Sequence, residues 1–281
     1  YTTLFRSPFG INLLNGSNEA ANIDLFLRYG IRRIEASAFI KMTPDLVRYR
    51  LLGLSRDAQS AGGVAIANRI IAKLSRPEVA QAFLSPAPAA IVQALLAKNQ
   101  ITPEMADLAR RVPMADDICV EADSGGHTDQ GNAAVLIPAI CRLRDAMQAE
   151  YRYGERPRVG SGGGIGTPDA AASALMLGAE FTLTGSINQC TVEAGTSPLV
   201  KQMLAEAEVP DTAYAPAGDM FEIGARVQVL RRGVLFPARA NRLFDLYMHK
   251  DSLDQIDAQT RDQIETRYFQ RSFDQVWHLG V

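Results

Sequence analysis

PRVGSGGGIGTPDAAASALMLGAEFTLTGS, residues 157–186, decides the fold. PRVGSGG (157–163) reads as an apolar strand that runs into glycines. Thr167 followed by Pro168 is the cap-then-proline start of a helix, TPDAAASALMLG (167–178). EFTLTGS (180–186) is a second strand, and it also ends in Gly-Ser. Strands this apolar, alternating with helices, belong to a parallel sheet covered by helices.

The same alternation runs upstream. PFGINLL (8–14) reads as a strand. NEAANIDLFLRY (18–29) reads as a helix, with Asn18 as N-cap and Gly30 as stop. IRRIEAS (31–37) is a strand, and TPDLVRYRLLG (43–53) opens a helix at Thr43-Pro44. RIIAKLS (69–75) is a strand followed by three short helices, PEVAQAFL, APAAIVQALLAK and TPEMADLARR. DDICVEAD (116–123) is a strand, and a long helix covers 133–150.

A doubly wound sheet and a (β/α)8 TIM barrel both fit this pattern. The barrel is favoured because the unusual residues fall at the C-terminal ends of successive strands, where barrels bind ligands. These are Asn12, Glu35 with Ser37, Lys73, Asp123 to His127, Gly162 to Gly164, and Gly185 with Ser186. Six strands are legible where a barrel has about eight. The first strands are expected upstream of Tyr1, or irregularly from VAIAN (64–68). The alternation stops near residue 207. The expected domains are therefore a barrel over 1–206 and a mainly helical, substrate-facing appendage over 207–281.

Composition narrows the function classes. A net charge of −2 over 281 residues gives no electrostatic reason to expect nucleic acid or a membrane surface. No apolar run approaches the roughly 18 residues of a membrane span. YTTLFRSPFG, the start of the chain, lacks the charged-then-apolar order of a signal peptide. The 3 cysteines are far apart and have no metal-ligand spacing, so no metal site and a cytoplasmic setting are expected.

Three groups of residues could carry chemistry. Glycine loops after adjacent strands (SGGGIG and TGS) let backbone N–H groups approach a phosphate, helped by the helix N-terminus at Thr167. Read alone, they are equally two tight turns. EADSGGHTDQ (121–130) puts one of only 3 histidines on the rim, the side chain best suited to proton transfer near neutral pH. Its structural alternative is a turn histidine satisfied by Asp123 or Asp129. Asn12, Glu35 and Lys73 interrupt apolar strand ends. They imply a shared polar ligand, a Lys73–Glu35 ion pair, or both.

EADSGGHTD, RVGSGGGIGTP, TGSINQ, EAGTS, AKLSRPEVA and FEIGARVQVLRRG–FPARA together resemble the trans-acting, flavin-dependent enoyl reductases of polyketide and polyunsaturated fatty acid synthases. These lie within the nitronate monooxygenase-like group of FMN barrels. The resemblance implies bound FMN, NADPH as hydride donor, and an enoyl thioester on an acyl carrier protein as substrate. It implies other synthase modules as partners and is compatible with a homodimer.

By residue, it implies that Gly163, Gly164, Gly185 and Ser186 cradle the FMN phosphate. Asn12 and Lys73 would contact the ring or ribityl chain. Glu35, Asp123, Gly125, Gly126 and Gln189 complete the cofactor set, and His127 and Lys73 are the catalytic candidates. A nitronate monooxygenase using FMN and O2, a non-catalytic synthase scaffold and a phosphosugar barrel are the alternatives.

Overall fold

The computed structural model describes residues 9–279. Tyr1–Pro8, with most of the N-terminal stretch read for a signal peptide, lies outside them. Six strands form one parallel sheet: β1 (Ile11–Leu14), β2 (Arg33–Ser37), β3 (Arg69–Leu74), β4 (Asp117–Glu121), β5 (Arg158–Gly162) and β6 (Thr182–Leu183). Their order in the sheet is their order in the chain. A doubly wound sheet reverses direction at a switch point. This one never does, so its winding is that of a TIM barrel, six strands long among the described residues.

Side-chain alternation sorts each strand into two faces. Leu13, Ile34, Ala36, Ile70, Ala72, Ile118, Val120 and Val159 are almost fully buried. They form the core under the helices, each large one contributing about 1.5–3 kcal/mol. The alternate residues point to the other face: Asn12, Glu35, Ser37, Lys73, Cys119 and Glu121. That face carries the chemistry.

Local signals explain the helices. Thr43 and Thr167 each accept a hydrogen bond from a first-turn N–H (Leu46 and Ala170), with proline at the next position. Asn18 stands at its N-cap, but its side chain makes no capping bond. Asn15 instead donates to Glu19, 2.8 Å away. Gly30 ends that helix at φ 67°, a conformation that favours glycine. Arg50 is fully buried and offset by a bidentate pair with Asp116 and by the carbonyls of Pro113 and Asn68. The stretch VAIAN supplies no barrel strand. Val64–Ile66 pairs antiparallel with Leu54–Arg56 in a separate two-stranded ladder.

The chain divides into two compact units. The first runs up to Ser124 and takes in Asp129–Asn188. The second holds Gly125–Thr128 and the chain from Gln189 onward. The second carries strands as well as helices. Thr212–Pro216 (β7) pairs antiparallel with Arg226–Leu230 (β8). Helix Phe236–His249 and shorter helical segments through His278 complete it. Among the described residues, no single helix is long and apolar enough to cross a membrane.

Candidate functional site

The first unit brings Asn12, Glu35, Ser37 and Lys73 into one network. Ser37 accepts from Asn12 Nδ2 at 2.9 Å and donates to Glu35 Oε1 at 3.2 Å. Lys73 Nζ lies 3.8 Å from Glu35 Oε1 and 3.1 Å from Glu121 Oε1. Strand register explains the arrangement. Lys73 is level with Ser37 and Cys119, one interior position above Glu35 and one below Glu121. The expected Lys73–Glu35 pair exists, but Glu121 is the nearer carboxylate. Strand alternation alone puts Glu121 on the interior face, two residues after Cys119. The conspicuous glycines and histidine that follow it mask that signal.

Cys119 sits beside Lys73 in this layer. Burial, reinforced by Glu35 and Glu121 and partly offset by Lys73, pushes its thiol up from 9.0 to about 12. It is an inert thiol in a polar layer.

The glycine loops follow β5 and β6 in the same unit. Gly163 has φ +87°, and a Cβ there would stand 2.5 Å from the Ala122 carbonyl oxygen. Gly164 has φ +70°. Both positions therefore require glycine. Gly185 has open space around it, and a Cβ on Gly166 would meet Ile187 at 3.9 Å, so the two loops adjoin. Asn188 closes the second loop by donating to the Thr184 carbonyl at 2.9 Å. Ser186 opens a short 3-10 turn. Two adjoining glycine loops, one beside the N-terminus of helix Pro168–Met176, fit a phosphate group.

Gly125, Gly126, His127 and Gln189 belong to the second unit. His127 has a carboxylate partner far along the chain. His127 Nε2 lies 2.9 Å from Asp219 Oδ1, 92 positions along the chain. No sequence spacing announces a contact of that range. Asp129 binds Ser75 and approaches Arg76 at 3.9 Å. The Asp123 N–H donates to the Gly131 carbonyl at 2.9 Å.

Many of the aromatics after residue 207 pack on one another. Phe221 lies 5.3 Å from Phe244 and 5.5 Å from Tyr247, centroid to centroid. Arg239 stacks over Tyr268 at 5.2 Å, and Arg232 pairs with Asp211 at 3.6 Å. Trp277 is exposed.

Fold and rim together define a TIM-barrel-type α/β unit with a phosphate-type loop pair and a polar ladder at its strand ends. Comparison with known proteins places particular relatives beside it. The enoyl reductase domain of MlnA, from the macrolactin biosynthesis cluster of Bacillus amyloliquefaciens, is 44% identical. It superposes with a TM-score of 0.91 over 99% of this chain and 64% of that one. The polyketide biosynthesis protein PksE of Bacillus subtilis is 56% identical over 273 residues, 96% of this chain and 35% of that protein. A polyunsaturated fatty acid synthase polypeptide of Thraustochytrium is 48% identical over 276 residues, 98% of this chain and 18% of that polypeptide. This chain thus spans about a third or less of the curated relatives it matches. Residues 250–279 also match the inserted helical domain of [acyl-carrier-protein] S-malonyltransferase. The resemblance to enoyl reductases of polyketide and polyunsaturated fatty acid synthases is borne out.

Proposed function

We propose that this chain is an FMN-dependent enoyl reductase of polyketide or polyunsaturated fatty acid synthesis. Its substrate would be an enoyl thioester carried on an acyl carrier protein. The observation that carries this reading is the 99% span of the similarity to an enoyl reductase domain. FMN, when bound, would take hydride from NADPH and pass it to the β-carbon of the enoyl group.

The chain's own residues divide the remaining work. Backbone N–H groups of Gly163–Gly164 and of Gly185–Ser186 would hold the phosphate. Asn12, fixed by Ser37, and Lys73, fixed by Glu35 and Glu121, would offer donors of defined position to polar groups of the cofactor. A donor aimed at the thioester oxygen stabilises charge that develops there, and Lys73 or His127 is suited to that task. The α-carbon then needs a proton, and His127 is the group on this chain built to carry one.

The test is the absorption spectrum of the full-length protein before and after anaerobic NADPH. A flavin band that bleaches with NADPH and returns on adding an enoyl thioester is the expected result. A band indifferent to NADPH, in a protein that consumes alkyl nitronates with O2, would mean a nitronate monooxygenase. No flavin in the intact protein would favour a scaffold.

A further inference from the structure

We propose that Asp219 is the positioning residue for His127, setting which ring nitrogen carries the proton and stabilising the charged ring. This rests on the reading of His127 as proton carrier. The contact is direct, Nε2 to Oδ1 at 2.9 Å. The hydrogen bond from His127 holds the Asp219 carboxyl below its usual range, so it is ionised near neutral pH and can only accept. A carboxylate that only accepts therefore places a ring proton on Nε2. A second proton makes an imidazolium that the carboxylate stabilises.

Both partners are held by the same small ladder of the second unit. Gly125 bridges to Gln228 on β8, and the Thr128 N–H donates to the Arg226 carbonyl at 3.1 Å. These contacts lay the histidine segment along the edge of β8. Asp219 lies in the connection between β7 and β8, which is closed by Ala217 N–H donating to the Ala225 carbonyl at 2.8 Å. The hairpin thus presents a carboxylate to a histidine paired at its own edge. Arg226 is the charged residue of the strand packed on this segment, and Asp219 is the charged residue of the 218–220 turn. Both side chains of the pair are more than half exposed, 53% and 66%. An ion pair so exposed contributes little to stability, which separates a positioning role from a structural one.

The experiment compares Asp219→Asn, Asp219→Glu and His127→Ala in the full-length protein. Asp219→Asn should slow enoyl reduction about 10- to 100-fold, as expected when the partner orienting a functional histidine is lost. Flavin content, melting temperature and the rate of NADPH oxidation should stay unchanged. Asp219→Glu should restore part of the rate. Independently of turnover, the nitrogen NMR signals of His127 should lose their Nε2–H preference in Asp219→Asn. An unchanged rate and tautomer in Asp219→Asn, beside a slow His127→Ala, overturns the positioning role and leaves the reading of His127 standing. Full enoyl reduction in His127→Ala removes the reading of His127, and this proposal with it.

Discussion

Lys73 and Glu121 form an ion pair across neighbouring strands, with Nζ 3.1 Å from Oε1. Glu35 stands on the other side of the same ammonium at 3.8 Å. One cation therefore separates two carboxylates on a partly buried interior face, where a lone charge is costly. Removing the cation leaves the two acids facing each other. Lys73→Met should lower stability by about 1–2 kcal/mol, read as a shift in urea midpoint. Glu121→Gln in the same chain should recover part of it. A fully additive loss in the double variant would show that the three groups do not act as a unit.

The glycine loops separate fold from ligand. Gly163→Ala would drive a methyl to 2.5 Å from the Ala122 carbonyl oxygen at a φ of +87°. It should cost about 2 kcal/mol and flavin retention together. Gly185 has nothing within 4 Å of its would-be Cβ. Gly185→Ala should therefore leave stability within about 0.5 kcal/mol and, with the phosphate held as proposed, still weaken FMN retention, because its methyl would enter that site. Equal FMN affinity in Gly185→Ala would place the phosphate elsewhere.

Cys119 makes the fold sensitive to alkali. Its folded thiol titrates near 12 against an ordinary 9.0, and Tyr49 near 12 against 10.0, both chiefly through burial. A raised value means the native state keeps a proton that the unfolded chain releases. The resulting stability is whole below pH 9 and is lost as pH climbs toward 12. Urea midpoints should fall over that window, and Cys119→Ala should flatten part of the slope. At neutral pH, iodoacetamide should reach Cys119 only after unfolding. Labelling of the native protein at the rate of a free thiol would contradict this assignment.

Under the proposed function, basic residues after position 207 would suit docking of an acidic carrier protein. Arg232 and Arg239 are engaged with Asp211 and Tyr268. Arg231 and Arg242 have no carboxylate within ion-pair distance among the described residues. Reversing the charge of Arg231 and Arg242 should raise the KM for a carrier-bound enoyl thioester several-fold, with little effect on a small thioester mimic. A parallel change for both substrates would remove the arginines from docking.

Much of this was legible in the residues. Apolar strands at regular spacing, Thr-Pro helix starts and strand-end glycines are local signals. They act through backbone sterics and capping, which a short window of sequence contains. They specified six parallel strands, the helices that cover them, and strand ends bearing Asn12, Glu35, Lys73 and the two glycine loops. Tertiary structure decided the partners. Glu121 became the nearer partner of Lys73 because parallel register sets β4 against β3. Val64–Ile66 left the barrel for an antiparallel ladder. His127 met Asp219 because residues 125–128 pair with β8 of the second unit. Side-chain partnership across 92 positions depends on chain closure in three dimensions, and no local pattern encodes it.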